Sequence, residues 1–225
     1  MRTRSASWRT WSLVVVLGGL GAASWAAAPA RADQTRAPTA ESCLGELAAR
    51  GVEYRRARRP GIAIGVELTG SLGGVAVRAR DRLVIDCSLA VSLAAAAPYL
   101  RDLGVETLVI ASAYSRRNVR GTNRPSKHSF GLAVDVPELV GATIGALSVS
   151  RDYEQGLGDD VDCVGAPATA AGQTLKIAQC QLVRSGLFFL VLSPDYDDAH
   201  HDHFHLEALP WAEREELRSS SPAIH

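Results

Sequence analysis

Five of the six histidines lie in two short segments, S126-K-H-S-F-G-L-A-V-D135 and H200-H-D-H-F-H205. Imidazole nitrogen and carboxylate oxygen are donors that a borderline cation such as Zn²⁺ accepts. His128, Asp135 and a histidine of the His203-x-His205 pair would make three protein ligands, and three ligands with one open position describe a catalytic zinc site rather than a structural one. The chemistry on offer is metal-assisted hydrolysis. Storage or transfer of metal is disfavoured, because the chain has only one compact ligand set.

Each segment needs an element to aim it. Residues two apart on a strand share a face, so a strand through His203 and His205 turns both rings into one pocket, with Asp202 and Phe204 on the other side. His128 and Asp135 are too distant for adjacent positions on one strand. A turn must fall between them, and Gly131 supplies it. Ser126 reads as a cap of that turn or a group that orients a ligand. It lacks the Gly-x-Ser-x-Gly context of a nucleophile. His200 and His201 read either as partners of the ligands or as residues of the rim, with His200 taken as the supporting one.

Around these segments, Ile62–Leu68 alternates like a strand, glycines 70, 73 and 74 mark a turn before Val75–Val77, and Arg82–Asp86 is a short apolar run. Ser88–Leu103 has apolar residues at helical spacing and ends at Gly104. Glu106–Ser112 reads as a buried strand, Tyr114–Pro125 as a polar loop, and Phe130–Val136 and Ala142–Val149 as strands. Asp152–Ala171 reads as an irregular surface insertion and Gln173–Ser185 as a second helix. Leu187–Leu192 has the continuous apolar character of a central strand, His203–Ala208 looks like its partner, and Pro210–Leu217 opens a terminal helix. Strands with few helices and no regular βαβ alternation predict an α+β domain, an antiparallel sheet with flanking helices.

The first 32 residues have the form of a signal peptide: Arg2, Arg4 and Arg9, an apolar stretch from Trp11 to Ala28, then Ala30-Arg31-Ala32 as a cleavage site. The stretch approaches the length of a membrane span, so an uncleaved anchor is the competing reading. Gly18, Gly19 and Gly21 favour cleavage. Residues 33–42 read as a linker and 43–225 as one domain. The expected product is exported to the periplasm or cell envelope, a monomer with no stable membrane contact after the signal is removed. The whole chain carries 24 basic and 24 acidic side chains. Loss of Arg2, Arg4, Arg9 and Arg31 makes it mildly acidic, which argues against nonspecific nucleic-acid binding. The run Arg55–Arg59 reads as a solvated loop. The four cysteines of an exported chain predict two disulfides. Of three connectivities, Cys43–Cys87 with Cys163–Cys180 is favoured because each pair brackets one half of the domain. No Cys-x-x-Cys spacing supports a thiolate zinc site.

Ser126-x-His128-x-x-Gly131-x-Ala133-x-Asp135 with a downstream His-x-His resembles the LAS zinc peptidases, which include D-Ala-D-Ala carboxypeptidases and dipeptidases and murein endopeptidases. More narrowly, the chain resembles the extensin-like C-terminal family, from the C-S-L-A at Cys87 through Leu103-Gly104, Tyr114-Ser115-Arg116 and the Ser-x-His segment to Leu192-Ser193-Pro194 and H200-H-D-H-F-H-L-E207. The resemblance implies a LAS/hedgehog-type peptidase core and zinc held by His128, Asp135 and His205. It implies that His203 sits beside the attacking water as the base. In the dipeptidase branch a glutamate occupies the position of Asp202. Asp is shorter, so His203 is preferred as base and Asp202 as the group that orients a histidine. Relatives also carry an arginine that faces the substrate. The family pattern Tyr-x-Cys-Arg is here Tyr114-Ser115-Arg116-Arg117, which makes Arg117 and Arg116 both candidates, with the count from Tyr114 favouring Arg117. The cysteine missing from that pattern would orphan Cys180 unless Cys163 replaces it, which supports the second disulfide. The implied activity is hydrolysis of amide bonds in peptidoglycan peptide stems, of carboxypeptidase or endopeptidase type. A non-catalytic zinc-containing wall-binding or structural module is the alternative.

Overall fold

A computed structural model describes residues 39–158 and 163–220. The expected signal peptide and all but the end of the expected linker fall outside the described residues. The described residues belong to one compact unit. In chain order it contains α1 (Ala40–Ala49), β1 (Tyr54–Arg56), β2 (Gly65–Leu68), β3 (Ala76–Ala79), β4 (Val84–Asp86), α2 (Cys87–Asp102) and β5 (Thr107–Ile110). There follow β6 (Ala133–Val136), β7 (Glu138–Gly141), β8 (Gly145–Ser148), α3 (Val149–Asp152), α4 (Ala170–Arg184), β9 (Leu190–Leu192), β10 (Phe204–Glu207) and α5 (Trp211–Ser220). The class is mixed α+β.

Strand pairing departs from the expected single antiparallel sheet. Three small sheets form, ordered β1-β2-β4, β6-β10-β9 and β3-β5-β7-β8. β3 and β5 are parallel, with Ala79 opposite Ile110, because β4 and α2 form the crossover between them. The run expected as a central strand contributes β9 at the edge of its sheet, and β10 takes the middle. Continuous apolar character there reflects cover by neighbouring side chains rather than a central position: Val191 and Leu192 are buried, while Phe189 just before them is exposed.

α1 starts inside the stretch read as linker. Thr39 Oγ1 accepts from the Ser42 amide at 3.1 Å and the Thr39 amide donates to Ser42 Oγ at 3.1 Å. This reciprocal cap fixes the first turn, and Cys43, Leu44 and Leu47 form the buried face. α2 is capped by Asp86, whose Oδ1 accepts from the Ser88 amide at 3.0 Å. It is apolar almost all round, as a central helix must be, and packs with Leu108, Val136, Leu139, Leu182, Phe204 and Leu206 into one core. Disulfides join Cys43 to Cys87 and Cys163 to Cys180.

The described parts of the insertion, 153–158 and 163–169, are irregular but anchored. Tyr153 is buried, and its hydroxyl donates to Asp195 Oδ2 at 2.8 Å. Lys176 Nζ of α4 lies 3.5 Å from the same oxygen, with both side chains almost fully buried. The amide of Gly156 donates to Asp195 Oδ1 at 2.7 Å. A single carboxylate therefore fastens the insertion, α4 and the loop after β9. That loop leads into the second histidine segment.

Candidate metal centre

β6 and β10 pair antiparallel with Asp135 directly opposite His205. On its other side Asp135 bridges to Ser112 in the extension of β5, through Ala111 N–H to Asp135 O at 3.0 Å and Asp135 N–H to Ser112 O at 2.9 Å. Asp135 is thus the point where two of the sheets meet. Val134 and Val136 enter the core, and by strand alternation Asp135 points the opposite way.

His128 arrives on a 3₁₀ turn, Lys127–Phe130, capped by Ser126 Oγ, which accepts from the His128 amide at 3.3 Å. Gly131 closes the turn at φ +64°. An added Cβ there would stand 2.9 Å from the Asp86 amide nitrogen and 2.7 Å from Ile62 Cδ1. Both the left-handed backbone and the close approach demand glycine. The fully buried His128 ring donates from Nδ1 to the Ala113 carbonyl at 2.6 Å. That bond fixes the tautomer and aims Nε2 at Asp135 Oδ1, 3.2 Å away.

Two more rings converge on the same oxygen. His205 Nδ1 lies 2.8 Å from Asp135 Oδ1, and its Nε2 meets Glu207 Oε1 at 3.0 Å. His203 precedes β10 rather than lying on it, yet its Nε2 comes within 3.3 Å of Asp135 Oδ1 while Nδ1 donates to Asp202 Oδ1 at 2.7 Å. Donor atoms of His128, Asp135 and His205 all lie within 4.8 Å of one another. Ligands about 2.1 Å from a tetrahedral ion stand roughly 3.3 Å apart. The observed 3.2 and 2.8 Å separations fit that donor set with little movement.

His200, His203 and His205 form a second set with the same spacing limit. The His200 ring lies tilted 5.3 Å from His203 and edge-on 5.5 Å from His205, and is held by Asp197 at 2.5 Å. His201 turns away to the Asp198 carbonyl at 2.7 Å. Of the two arginines, Arg117 reaches the site, its guanidinium 3.5 Å from Asp135 Oδ2. Ser129 holds that loop by accepting from the Arg117 amide at 2.9 Å and donating to its carbonyl at 2.8 Å. The Arg116 side chain is not brought to the centre.

The sequence model of a family described as "Extensin-like protein C-terminus" matches residues 41–217, from α1 into α5. The chain belongs to that family. No curated protein and no solved structure matches it. Among the described residues of this extensin-like domain, no helix is long and apolar enough to cross a membrane.

Electrostatics in the extensin-like centre follow from crowding three rings on one carboxylate. Burial alone would raise the Asp135 carboxyl, but hydrogen bonds from His128, His203 and His205 outweigh it and hold it well below the usual carboxylate range. Burial would lower His205; Asp135 and Glu207 reverse that and push it up to about 9. His203 is also raised, by Asp135 and Asp202 against its own burial. Sequence reasoning missed Glu207, the Ala113 carbonyl and Asp197. Glu207 carried a signal: it lies two residues beyond His205, hence on the same strand face.

Proposed function

We propose that this extensin-like protein is an exported zinc-dependent peptidase related to the LAS enzymes, acting as a monomer on amide bonds of peptidoglycan peptide stems. The observation that carries the reading is the convergence of His128 Nε2, His205 Nδ1 and the Asp135 carboxylate on one point, with a fourth group, His203, beside it. A structural site would need neither His203 nor Arg117.

His128, Asp135 and His205 would hold the ion. Bound there, Zn²⁺ supplies a Lewis acid that makes water nucleophilic near neutral pH and polarises a carbonyl. The residues of this chain divide the remaining work. Ala113 and Glu207 fix the two ligand rings from behind, as second partners of metal-binding histidines do. Asp202 holds the Nδ1 proton of His203, so that its Nε2 faces the centre as a base. His203 Nε2 takes a proton from the attacking water and returns it to the leaving amine nitrogen, giving one carboxylic acid and one amine. The half-exposed Arg117 offers two parallel N–H donors to a substrate carbonyl or carboxylate.

The test is direct. The mature protein, with zinc or with a chelator, is incubated with crosslinked peptidoglycan and with D-Ala-D-Ala-ended peptides, and products are identified by mass spectrometry. Chelator-sensitive cleavage is expected. Intact substrates in every arm overturn the reading in favour of a wall-binding module.

A further inference from the structure

Beside the candidate metal centre runs a groove of about 300 Å³ lined in part by Ile110–Tyr114. This is the same segment that pairs with Asp135 through Ser112 and accepts the His128 ring through Ala113. The exposed residues Arg59, Arg80 and Arg82 also line it, with one acid, Asp81. Arg82 has Glu67 at 3.7 Å. Among the described residues, no carboxylate is paired with Arg59 or Arg80.

Three segments distant in sequence are held together to make this wall. The Tyr114 hydroxyl donates to the Pro60 carbonyl at 2.8 Å, tying the Arg59 loop to the loop that bears Arg117. A Cβ on Gly61 would stand 2.6 Å from the Ser129 carbonyl oxygen, so the Arg59 loop also lies against the 3₁₀ turn of His128. Arg80 follows Ala79, which is registered on Ile110. The arginines of the run Arg55–Arg59 are exposed, as expected, and the last of them lines this groove.

We infer that the Arg59–Arg80–Arg82 groove is a subsite for a carboxylate on an acidic peptide whose scissile bond lies at the metal centre. Guanidinium groups suit a carboxylate because they stay charged and donate in parallel pairs. The strand order gives the spacing. Ala79 is registered on Ile110, and Ser112 two residues on bridges to Asp135. The backbone next to Arg80 therefore lies about two strand separations, roughly 10 Å, from that of Asp135, which an extended peptide covers in about three residues. The substrate class is thus a peptide with an acidic side chain or free carboxylate about three residues from the bond that is cut. The choice of a peptide as ligand rests on the peptidase reading; the anionic character rests on the groove.

The experiment uses chelator-treated full-length mature protein, so that binding is read without turnover. D-Ala-D-Ala-ended hexapeptides carrying Glu or Gln at each successive position are titrated by isothermal calorimetry. At one position about three residues from the terminal bond, the Glu peptide is expected to bind about fivefold tighter than its Gln twin, a preference that shrinks with salt. In the double variant Arg59→Gln/Arg80→Gln the ratio falls to about one. Arg82→Gln alone lowers it and serves if the double variant loses its circular-dichroism spectrum. A ratio near one at every position, or one that survives the double substitution, overturns the subsite. Displacement of the Glu peptide by equimolar inorganic phosphate reassigns the groove to phosphate and also overturns it. A positive ratio without chelator-sensitive cleavage of the same peptides by zinc-loaded protein sinks the peptidase reading instead.

Discussion

Without an ion in the candidate metal centre, the domain should lose stability as pH rises. In the metal-free protein His205 is almost buried and titrates at about 9, against 6.5 for the free residue. The difference is worth about 3 kcal/mol in favour of the folded, protonated ring. The sign follows from the raised value. The contribution is fully present below pH 6.5 and is lost as pH rises through about 9. His203 is raised as well and acts in the same direction. Asp135 is depressed, so it stays ionised across this window and adds no slope. For a domain of this size about 3 kcal/mol corresponds to a fall in Tm of roughly 6–12 °C between pH 6 and pH 9.5. Zinc cancels the fall, because the ion must expel the His205 proton and its apparent affinity gains about tenfold per pH unit up to about 9, which offsets the loss and leaves the zinc-loaded protein nearly flat over this window. Calorimetric melts of chelated and zinc-loaded protein at pH 6, 7.5 and 9.5 test both limbs. Stability of the chelated protein that is flat or rising over this range would refute the assignment of a shared proton to the His205–Asp135 pair.

Three further outcomes are expected. His203→Ala should cut turnover by about 10²–10⁴-fold while atomic absorption still finds about one zinc per chain, whereas His205→Ala should lose the zinc; loss of zinc in the first variant would make His203 a ligand. Glu207→Gln, which weakens the hydrogen bond behind His205, should lower zinc affinity by about 10–100-fold in a competition titration with a chelating dye. Lys176→Met strands the buried Asp195 carboxylate and should cost about 3–5 kcal/mol in urea unfolding, with part recovered in Lys176→Met/Asp195→Leu; additive effects of the two substitutions would show that the pair is not coupled.

The donor residues were legible in the sequence because histidine and aspartate at fixed spacing are rare without a reason. Their convergence was legible only in part. The i, i+2 argument for His203 and His205 reaches the right pocket, yet His203 lies before the strand and gets there through the bend at residues 201–203. α2 could be read because its apolar positions recur at helical spacing. α1 could not, since its signal is a capping box between Thr39 and Ser42 in a stretch whose composition resembles a linker. The parallel pairing of β3 with β5 depends on contacts between residues about thirty apart, which no local pattern records. The count from Tyr114 favoured Arg117 over Arg116, and the Arg117 guanidinium 3.5 Å from Asp135 Oδ2 agrees with that choice.

The register that sets Asp135 opposite His205 also ties the centre to the motions of the sheet. β9 lies at the edge, so it can fray without disturbing the ligands, but parting β10 from β6 pulls Asp135 away from His205. An ion bound there is a clamp across two strands: its binding energy is added to the cost of that one opening and withheld from fraying of β9. Hydrogen exchange should therefore slow on zinc addition at the amides shared by β6 and β10. The same pairing makes the site a gauge of local opening in the domain.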